Sequence, residues 1–264
     1  MTILDEIFAT KRVEVQERMR VCSQAEMRRE AELQTPALDF AGALKRKSAA
    51  DTIHLIAEVK CASPSKGLLA PNFDPLRLAS IYTQNGAAAI SVLTDEKYFK
   101  GSLDYLRQIS GLTPRLPLLR KDFIYHPYQV LEARAAGADA VLLIAASLDI
   151  MQLQELKTLT EELGMTALIE VHNAEELERT LRVSPALVGI NNRDLHTFNV
   201  SLETCLRLNV LVPEEVCVVA ESGILTRADV VRLETAGMDA MLVGEALVTA
   251  ADPASRMRSL LACT

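Results

Sequence analysis

The 264-residue sequence contains no tryptophan, and only 4% of its residues are aromatic. It also lacks a long hydrophobic run. The longest one, residues 140–146, is far shorter than the roughly 20 residues that a membrane-spanning helix needs. The N-terminus begins with a charged, helix-forming segment instead of a signal peptide. These absences argue against a membrane protein and a secreted protein, so we expect a cytoplasmic globular protein.

Paired cysteines and an excess of positive charge are missing as well. The cysteines have no regular spacing, which predicts free thiols in a chain without a secretory signal. The formal net charge is −7 and the sequence pI is about 5.3, so neither a nucleic acid nor a membrane surface is the expected partner. We expect a small-molecule ligand. The cysteines are Cys22, Cys61, Cys205, Cys217 and Cys263.

Signals for a metal or a dinucleotide are also absent. The four histidines lie in unrelated parts of the chain, and the glutamates near predicted strand ends have lysine neighbours. No Gly-x-Gly-x-x-Gly pattern follows a predicted strand. We therefore expect no metal and no bound dinucleotide. The histidines are His54, His126, His172 and His196.

An alternation of strand and helix patterns fills the chain beyond residue 50. The predicted strands are 53–59, 88–94, 116–121, 140–145, 166–170, 187–191, 216–221 and 240–243. The predicted helices are 75–85, 102–110, 127–136, 150–163, 174–181, 202–208, 227–235 and 253–261. Strands that are apolar on both faces are typical of a parallel sheet, and eight such units without a linker favour a closed (β/α)8 TIM barrel. A doubly wound open sheet is the alternative.

A helical extension precedes this alternation. An amphipathic helix is predicted from residue 2 to about residue 29, and a short one over 38–47. We expect a single domain over 1–264, with the extension at 1–49 and the barrel at 50–264. Gly86, Gly137 and Gly237 each stand just past a predicted helix, where a left-handed cap is expected. This repetition favours a barrel of equivalent units.

Polar and ionisable residues end the predicted strands. Active sites of TIM barrels lie at the C-terminal ends of the strands, so these side chains are expected to converge. A ring of ion pairs that only closes the barrel is the alternative. The residues are Glu58, Lys60, Lys121, Glu170, Asn191, Arg193, Glu221 and Glu245. Lys60 and Lys121 could form a Schiff base or act as general acids, with pKa values lowered by burial and by each other's charge.

Loops after the predicted strands indicate a phosphate site. Ser222-Gly223 and Gly244 follow the seventh and eighth strands and offer backbone N–H groups near helix starts. The segment 63–67 after the first strand contains proline and glycine, which predicts a functional loop. We expect a phosphorylated substrate.

Several separated motifs carry a resemblance to a known family. They are Ile3-Leu4-Asp5 with Lys11-Arg12, Glu58-Val59-Lys60 with Ser63-Pro64-Ser65, Lys121-Asp122-Phe123, Gly101-Ser102, and the segments 93–99, 168–172, 189–195, 220–224 and 242–246. In this order and spacing the chain resembles the indole-3-glycerol phosphate synthases of tryptophan biosynthesis over nearly its whole length.

The resemblance implies a cofactor-free carboxy-lyase. Its substrate would be 1-(2-carboxyphenylamino)-1-deoxyribulose 5-phosphate, which closes a pyrrole ring with loss of carbon dioxide and water to give indole-3-glycerol phosphate. Lys121 would protonate the ketone oxygen, Lys60 would hold the carboxylate, and Glu170 would act as acid or base in the later proton transfers. We expect a monomer, with docking to other enzymes of the pathway left open.

The resemblance implies further roles at the strand ends. Glu58 would tune the lysines, Asn191 would orient hydroxyls, and Ser222 is grouped with these catalytic residues. The substrate-binding residues would be Ser63, Gly223 and Gly244 at the phosphate, Arg193 and Glu221 at the polar chain, Phe99 and Phe123 at the aryl ring, and Glu245 beside the phosphate. Cys61 stands where many relatives carry a basic residue, and Glu245 stands where some carry serine. Glu245 would then have to turn outward.

Two alternatives remain open at this point. One is a phosphoribosylanthranilate isomerase of the same pathway, but its Cys and Asp acid–base pair is not visible at the ends of strands one and five. The other is a catalytically silent barrel that binds a related metabolite. The complete set of lysines and glutamates argues against the second.

Overall fold

Eight parallel strands form a closed barrel in the computed structural model, which describes residues 3–48, 51–64, 66–194 and 197–262. The barrel strands are β1 His54–Val59, β4 Ala89–Leu93, β5 Leu118–Lys121, β6 Ala140–Ile144, β7 Thr166–Val171, β8 Leu187–Asn191, β9 Cys217–Glu221 and β10 Ala240–Val243. Their order is β1-β10-β9-β8-β7-β6-β5-β4, closed by the β1–β4 pair. The predicted TIM barrel is therefore confirmed, and the open sheet is wrong. Ser65, His196 and Cys263, which the sequence analysis singled out, lie outside the described residues.

Apart from the four-residue helix at Glu245–Val248, the helices lie where the sequence predicts them in the barrel part of the chain. They are α4 Pro75–Gln84, α5 Leu103–Ser110, α6 Pro127–Ala135, α7 Ile150–Glu162, α8 Ala174–Leu181, α9 Glu203–Asn209, α10 Arg227–Thr235, α11 Glu245–Val248 and α12 Pro253–Leu261. The extension contains α1 Ile3–Val21, α2 Gln24–Glu32 and α3 Phe40–Leu44.

One predicted helix is wrong in its extent. The amphipathic helix expected up to about residue 29 ends at Val21, and α2 begins after Ser23. Ser23 and Glu26 form a capping box, in which each side chain bonds the other residue's backbone N–H. Such a box satisfies two donors at a helix start and therefore favours a new helix over continuation of the first. The predicted helix 38–47 is likewise shortened to Phe40–Leu44, with Asp39 as its N-cap.

Short elements were missed by the sequence analysis. The loop after β1 contains a two-residue antiparallel pair, β2 Ala62–Ser63 with β3 Gly67–Leu68. Gly67 has a φ of 65°, which a glycine adopts without steric cost. A 3-10 turn at Ala145–Ser147 and the four-residue helix α11 were missed too. Elements this short contain too few residues to produce a periodic pattern.

The barrel interior is apolar toward the N-terminal ends of the strands and charged at its mouth, where the strands end. Side chains alternate along each strand, so Ile56 and Glu58 of β1 point inward, whereas Leu55 and Ala57 pack against the helices. Phe40 and Leu44 are fully buried and belong to the same cluster as Ile56. Helix α3 therefore closes the N-terminal end of the barrel and leaves the opposite end for chemistry.

The glycines of the repeated helix-to-strand junctions are left-handed, as predicted. Gly86, Gly137 and Gly237 have φ values of 89°, 87° and 78°. A side chain at these angles would be strained, which explains why glycine is used at all three junctions.

Helix α1 is attached to the barrel by a buried group of charges, which we call the docking cluster: Lys11, Asp95, Arg120, Asp122 and Glu132. Lys11 Nζ lies 2.8 Å from Asp95 Oδ2 and 3.1 Å from Asp122 Oδ1. Arg120 lies 3.0 Å from Asp122 and 2.8 Å from Glu132. Burial alone would lower the pKa of Lys11, but the charges of Asp122 and Asp95 outweigh it and raise the pKa. The ammonium therefore stays charged and connects α1 to β5.

Candidate active site

Four ionisable side chains converge inside the barrel mouth, and we call them the mouth cluster: Glu58, Lys121, Glu170 and Glu221. They come from inward-facing positions of β1, β5, β7 and β9. The three glutamates are at most 4% exposed. Lys121 Nζ contacts Glu221 Oε2 and lies 3.5 Å from Glu170 Oε2. The expected convergence of these strand ends is therefore present in the structure.

The environment of Lys121 corrects one expectation from the sequence. We expected burial and the charge of Lys60 to lower the pKa of Lys121. Burial does act in that direction, but Glu221, Glu170 and Glu58 outweigh it, so the pKa of Lys121 lies above its ordinary value. The nearest charged groups are carboxylates, because Lys60 turns toward Glu58. Lys121 is thus an ammonium with a proton to donate, and a neutral amine for a Schiff base is disfavoured.

The two carboxylates beside Lys121 have pKa values that are shifted in opposite directions. Burial raises the pKa of Glu221, the charges of Glu170 and Glu58 add to the rise, and Lys121 offsets it only in part. Burial also acts to raise the pKa of Glu170, but Lys121 and His172 override it and hold the pKa well below the usual carboxyl range. Neighbouring groups whose pKa values are pushed apart in this way can divide acid and base roles.

Two glycines make room for the glutamates of the mouth cluster. A Cβ atom on Gly189 would lie 2.2 Å from Glu221 Oε1, and one on Gly244 would lie 2.2 Å from Glu58 Oε2. Gly244 was assigned from the sequence to the phosphate alone. Its missing side chain instead serves the close approach of Glu58, while its backbone stands at the start of α11.

An aromatic wall stands beside Lys60 at the mouth. Lys60 Nζ lies 3.3 Å from Glu58 Oε2 and 5.8 Å from the ring centre of Phe99. Phe99 and Phe123 have ring centres 5.9 Å apart, and Phe8 of α1 meets Phe123 edge to face at 5.8 Å. Phe8 was not singled out from the sequence, because its apolar position in α1 was explained by amphipathicity alone.

The loops expected to hold phosphate have unusual backbone and side-chain features. Ser222 and Gly223 are consecutive left-handed residues, with φ values of 65° and 78°. A serine in this region is strained, and such strain clusters at binding sites. The buried hydroxyl of Ser63 has no hydrogen-bond partner within the described part of the chain. Glu245 forms an ion pair with the exposed Lys66, so its carboxylate points toward the β2–β3 loop.

An open cleft of about 800 Å³ adjoins the mouth between α1 and the loops after β6, β7 and β8. Asn191 and Arg193 line it, whereas Lys121 does not. Asn191 Oδ1 accepts the backbone N–H of Arg193 at 3.0 Å, and the Asn191 side chain also reaches Glu170. The structure therefore places these two predicted residues at the edge between the mouth cluster and the cleft.

Sequence comparison connects this site with one family. The model of the family described as indole-3-glycerol phosphate synthase matches residues 4–260. The indole-3-glycerol phosphate synthase of Dehalococcoides mccartyi is 55% identical over 228 residues, which cover 86% of each chain. That of Roseiflexus castenholzii is 53% identical over 266 aligned positions, which cover 98% of each chain. The chain belongs to the indole-3-glycerol phosphate synthase family.

Solved structures support the fold of this synthase family member. The 3-hexulose-6-phosphate synthase of Salmonella typhimurium aligns with a TM-score of 0.61 at 13% identity, covering 80% of this chain and 97% of that one. A chain of the tryptophan synthase complex of Pyrococcus furiosus aligns with a TM-score of 0.57 at 15% identity, covering 79% and 97%. At such identities the likeness concerns the barrel alone. The isomerase alternative is not favoured, because the matching family model describes the synthase.

His172 and Glu176, beside the mouth cluster, were not recognised as functional candidates from the sequence. His172 follows β7 and lies with Nε2 3.2 Å from Glu170 Oε1 and Nδ1 3.1 Å from Glu176 Oε2. Burial alone would lower the pKa of His172, but the two carboxylates outweigh it and raise the pKa to about 10. The sequence analysis treated the histidine as an ordinary residue. The spacing of the three residues was the available signal, since Glu170 is near the end of β7, His172 directly follows the strand, and Glu176 is in the first turn of α8.

The described ranges contain neither a metal-binding cluster nor a membrane-spanning helix. Within 3–48, 51–64, 66–194 and 197–262, no group of three or more His, Cys, Asp or Glu side chains is arranged to hold a metal ion. In the same ranges no helix has the length and apolar character needed to cross a membrane. Cys61 is buried, and burial raises the pKa of its thiol, which suits a packed side chain better than a nucleophile.

Proposed function

We propose that the chain catalyses ring closure of 1-(2-carboxyphenylamino)-1-deoxyribulose 5-phosphate to indole-3-glycerol phosphate, carbon dioxide and water, as a carboxy-lyase. One observation carries this reaction: the ammonium of Lys121, whose side chain is only 15% exposed, lies between Glu170 and Glu221 at a mouth with an aromatic wall. An ammonium held in a water-poor site can give a proton to a developing alkoxide without reorganising its surroundings.

The groups of the substrate correspond to groups at the mouth. Lys60 offers a cation for the substrate carboxylate, and the backbone of Ser222-Gly223 offers N–H groups for the phosphate. Phe99 and Phe123 offer an apolar wall for the aryl ring. The partnerless hydroxyl of Ser63 supports a further donor at the phosphate. Gly244 and the backbone N–H of Glu245 complete this part of the site, with the Glu245 carboxylate turned to Lys66.

Ring closure is the first step of the proposed mechanism. The ring carbon that bears the carboxylate forms a bond to the ketone carbon, and the electron pair of the C=O bond moves to its oxygen. Lys121 gives that oxygen a proton and becomes a neutral amine. The bond to the carboxylate then breaks, carbon dioxide leaves, and the released electron pair restores the aromatic ring.

Dehydration completes the reaction. Glu170 starts as a carboxylate and takes a proton from the carbon between the nitrogen and the ring-closing carbon. It then gives this proton to the new hydroxyl, which leaves as water. Glu170 thus ends as it began. The substrate enters as a carboxylate and its carbon leaves as neutral carbon dioxide, so each turnover consumes one proton. That proton is the one that Lys121 gave.

The remaining residues support these steps. Glu58 contacts Lys60 and adds negative charge near Lys121, which helps to raise the pKa of Lys121. Glu221 positions the Lys121 ammonium and contacts the polar chain, as does Arg193. Asn191 orients hydroxyls from the edge of the cleft, and Ser222 contributes to the catalytic group through its backbone.

Product fluorescence tests the proposed function directly. The chain has no tryptophan, so indole-type emission from the product would rise over a low protein background. Mixing the folded protein with the carboxyphenylamino-deoxyribulose phosphate should give this emission together with one carbon dioxide per product. A folded protein that releases neither product would contradict the proposal. A cytoplasmic location, a monomeric state and docking to other pathway enzymes stay predictions of the sequence.

A further inference from the structure

A chain of three side chains runs from the mouth cluster to the open cleft. Glu170 is the inner end, His172 is the middle, and Glu176 is the outer end, with N···O distances of 3.2 and 3.1 Å. His172 and Glu176 both line the cleft, whereas Glu170 is buried inside the barrel. The imidazole ring is thus the direct link between a buried carboxylate and an open surface.

The outer half of this link is fixed more firmly than the inner half. Glu176 Oε2 accepts the backbone N–H of His172 at 2.8 Å, and its Oε1 accepts the Asn173 side chain at 2.7 Å. The Nε2 atom of His172 is buried and makes no aligned hydrogen bond within the described ranges, although Glu170 is within ion-pair distance. A donor that is close to a carboxylate but poorly aligned is available for transfer when either side chain turns.

The proposed reaction creates a need for such a link. Each turnover consumes one proton, and the group that loses it is Lys121. Lys121 lies 3.5 Å from Glu170, and its charge is the main cause of the low Glu170 pKa. Once Lys121 is a neutral amine this charge is gone, so Glu170 can take a proton and pass it on to restore the ammonium. While substrate fills the mouth, the open cleft beyond His172 is the adjoining source of protons.

We propose that His172 is a positioning residue for Glu170 and relays protons between this carboxylate and the open cleft. The inference rests on the proposed function, because it assigns acid–base work to Glu170. The Nε2–H bond of the imidazolium breaks as an O–H bond forms on Glu170. The imidazole ring then flips, so that its unprotonated Nε2 faces Glu176. This nitrogen takes a proton from the cleft, which restores the imidazolium.

The charges around His172 are compatible with this role. Glu170 faces it from β7 and Glu176 from α8, and both favour the imidazolium. The cleft is also lined by Asp5 and Arg12 of α1 and by Arg193, Asp194 and Arg207 from β8 to α9. Positive and negative groups are mixed on these elements, so the two carboxylates in direct contact dominate the proton affinity of the ring.

Replacement of His172 by glutamine tests the relay. Glutamine keeps a polar side chain of similar reach but cannot carry a proton. We expect His172→Gln to lower kcat by about 10-fold or more with KM changed by less than about two-fold. Added imidazole should restore part of kcat in a saturable manner, because it supplies the missing proton carrier. His54→Gln, at the opposite end of the barrel, is the matched control and should show neither the loss nor the rescue.

Two results would overturn the relay. One is a His172→Gln enzyme with near-normal kcat at all buffer concentrations, and the other is a reduced kcat that imidazole does not restore. If this variant does not fold, Glu176→Gln provides the second test, since it keeps the imidazole and removes one carboxylate. The alkaline limb of its kcat profile should move to lower pH, and an unmoved limb would contradict the relay. A wild-type protein that forms no product overturns the proposed function instead, so the two failures are distinguishable.

Discussion

The docking cluster and the mouth cluster both combine cations with three carboxylates, but the docking cluster has two cations and the mouth cluster has one. In the docking cluster, Asp122 contacts two cations, Lys11 and Arg120, and also accepts the hydroxyl of Thr94 at 2.6 Å. Burial would raise the pKa of Asp122, but these partners hold it far below its usual range. In the mouth cluster, three glutamates surround the single ammonium of Lys121, and the pKa of Glu221 is raised.

This difference separates a structural ion-pair network from a reactive one. A buried carboxylate with two cations has little tendency to change its protonation state, so it holds elements together. Three carboxylates around one cation leave negative charge that is only partly compensated, and such sites are poised to exchange protons. Lys121 and Asp122 are adjacent in sequence, so the alternation of one strand places the two kinds of cluster on opposite sides of β5.

The largest expected effect comes from removing the ammonium of the mouth cluster. Lys121→Met should lower kcat by roughly 10²–10⁴-fold with a small change in KM, because it deletes a general acid and leaves the binding groups in place. Steady-state kinetics with product fluorescence would measure both constants. Lys157→Met removes another buried, ion-paired lysine far from the mouth and should retain near-normal turnover. A Lys121→Met enzyme with kcat near the wild-type value would contradict the acid role.

The docking cluster should respond in stability instead of chemistry. Lys11→Met leaves Asp95 and Asp122 without their shared ammonium and should lower the free energy of unfolding by about 3–5 kcal/mol. Urea unfolding would measure this loss. Arg20→Met removes a charge from the exposed side of the same helix and should change stability by less than about 0.5 kcal/mol. Equal urea midpoints for Lys11→Met and the wild type would show that the cluster does not hold α1.

A smaller change can displace a carboxylate of the mouth cluster without removing any charge. Gly189→Ala puts a methyl group where Glu221 Oε1 now lies, so Glu221 must move away from Lys121. We expect kcat to fall by about 10-fold and the free energy of unfolding by about 1–3 kcal/mol. Gly111→Ala, whose new methyl group would meet only ordinary contacts, is the control. Unchanged kcat in Gly189→Ala would mean that the position of Glu221 is not critical.

The smallest expected effect is the pH dependence that His172 contributes to stability. Its pKa is raised from about 6.5 in the unfolded chain to about 10 in the folded one, so its contribution is complete below pH 6.5 and is lost as pH rises toward 10. Between these limits the wild type should lose more stability than His172→Gln as the pH rises. Urea unfolding of both proteins at pH 6 and pH 9.5 measures the difference. Parallel losses in the two proteins would contradict the raised pKa.

Strand positions and the convergence of their ends could be predicted from the sequence because both depend on local patterns. The runs that became β8 and β10 have the predicted bounds, 187–191 and 240–243. The C-terminal ends of the strands of a TIM barrel meet at one mouth, so Glu58, Lys121, Glu170 and Glu221 were expected to converge. The break after Val21 was not predicted, because helical periodicity was weighed above the capping signal at Ser23 and Glu26.

Pairing across the site could not be predicted, because it depends on distances between strands. The sequence indicated that Lys60 and Lys121 would affect each other, but the structure directs Lys60 to Glu58 and Lys121 to Glu170 and Glu221. The tight contact of Gly244 with Glu58 likewise requires three-dimensional packing. A glycine in a loop after a strand can leave room for a bound phosphate or for a neighbouring carboxylate. The sequence pattern is the same in both cases, so it cannot distinguish them.

The docking of α1 has a consequence for the order of events during synthesis. Arg18 of α1 bonds Glu132 of α6, 114 residues later in the chain. At a translation rate of roughly 5–20 residues per second, α1 leaves the ribosome about 6–23 s before this partner exists. The helix that carries Phe8 to the aromatic wall must therefore wait, exposed, until β5 and α6 have been made. The aromatic wall of the site is therefore completed only after about half of the chain has been made.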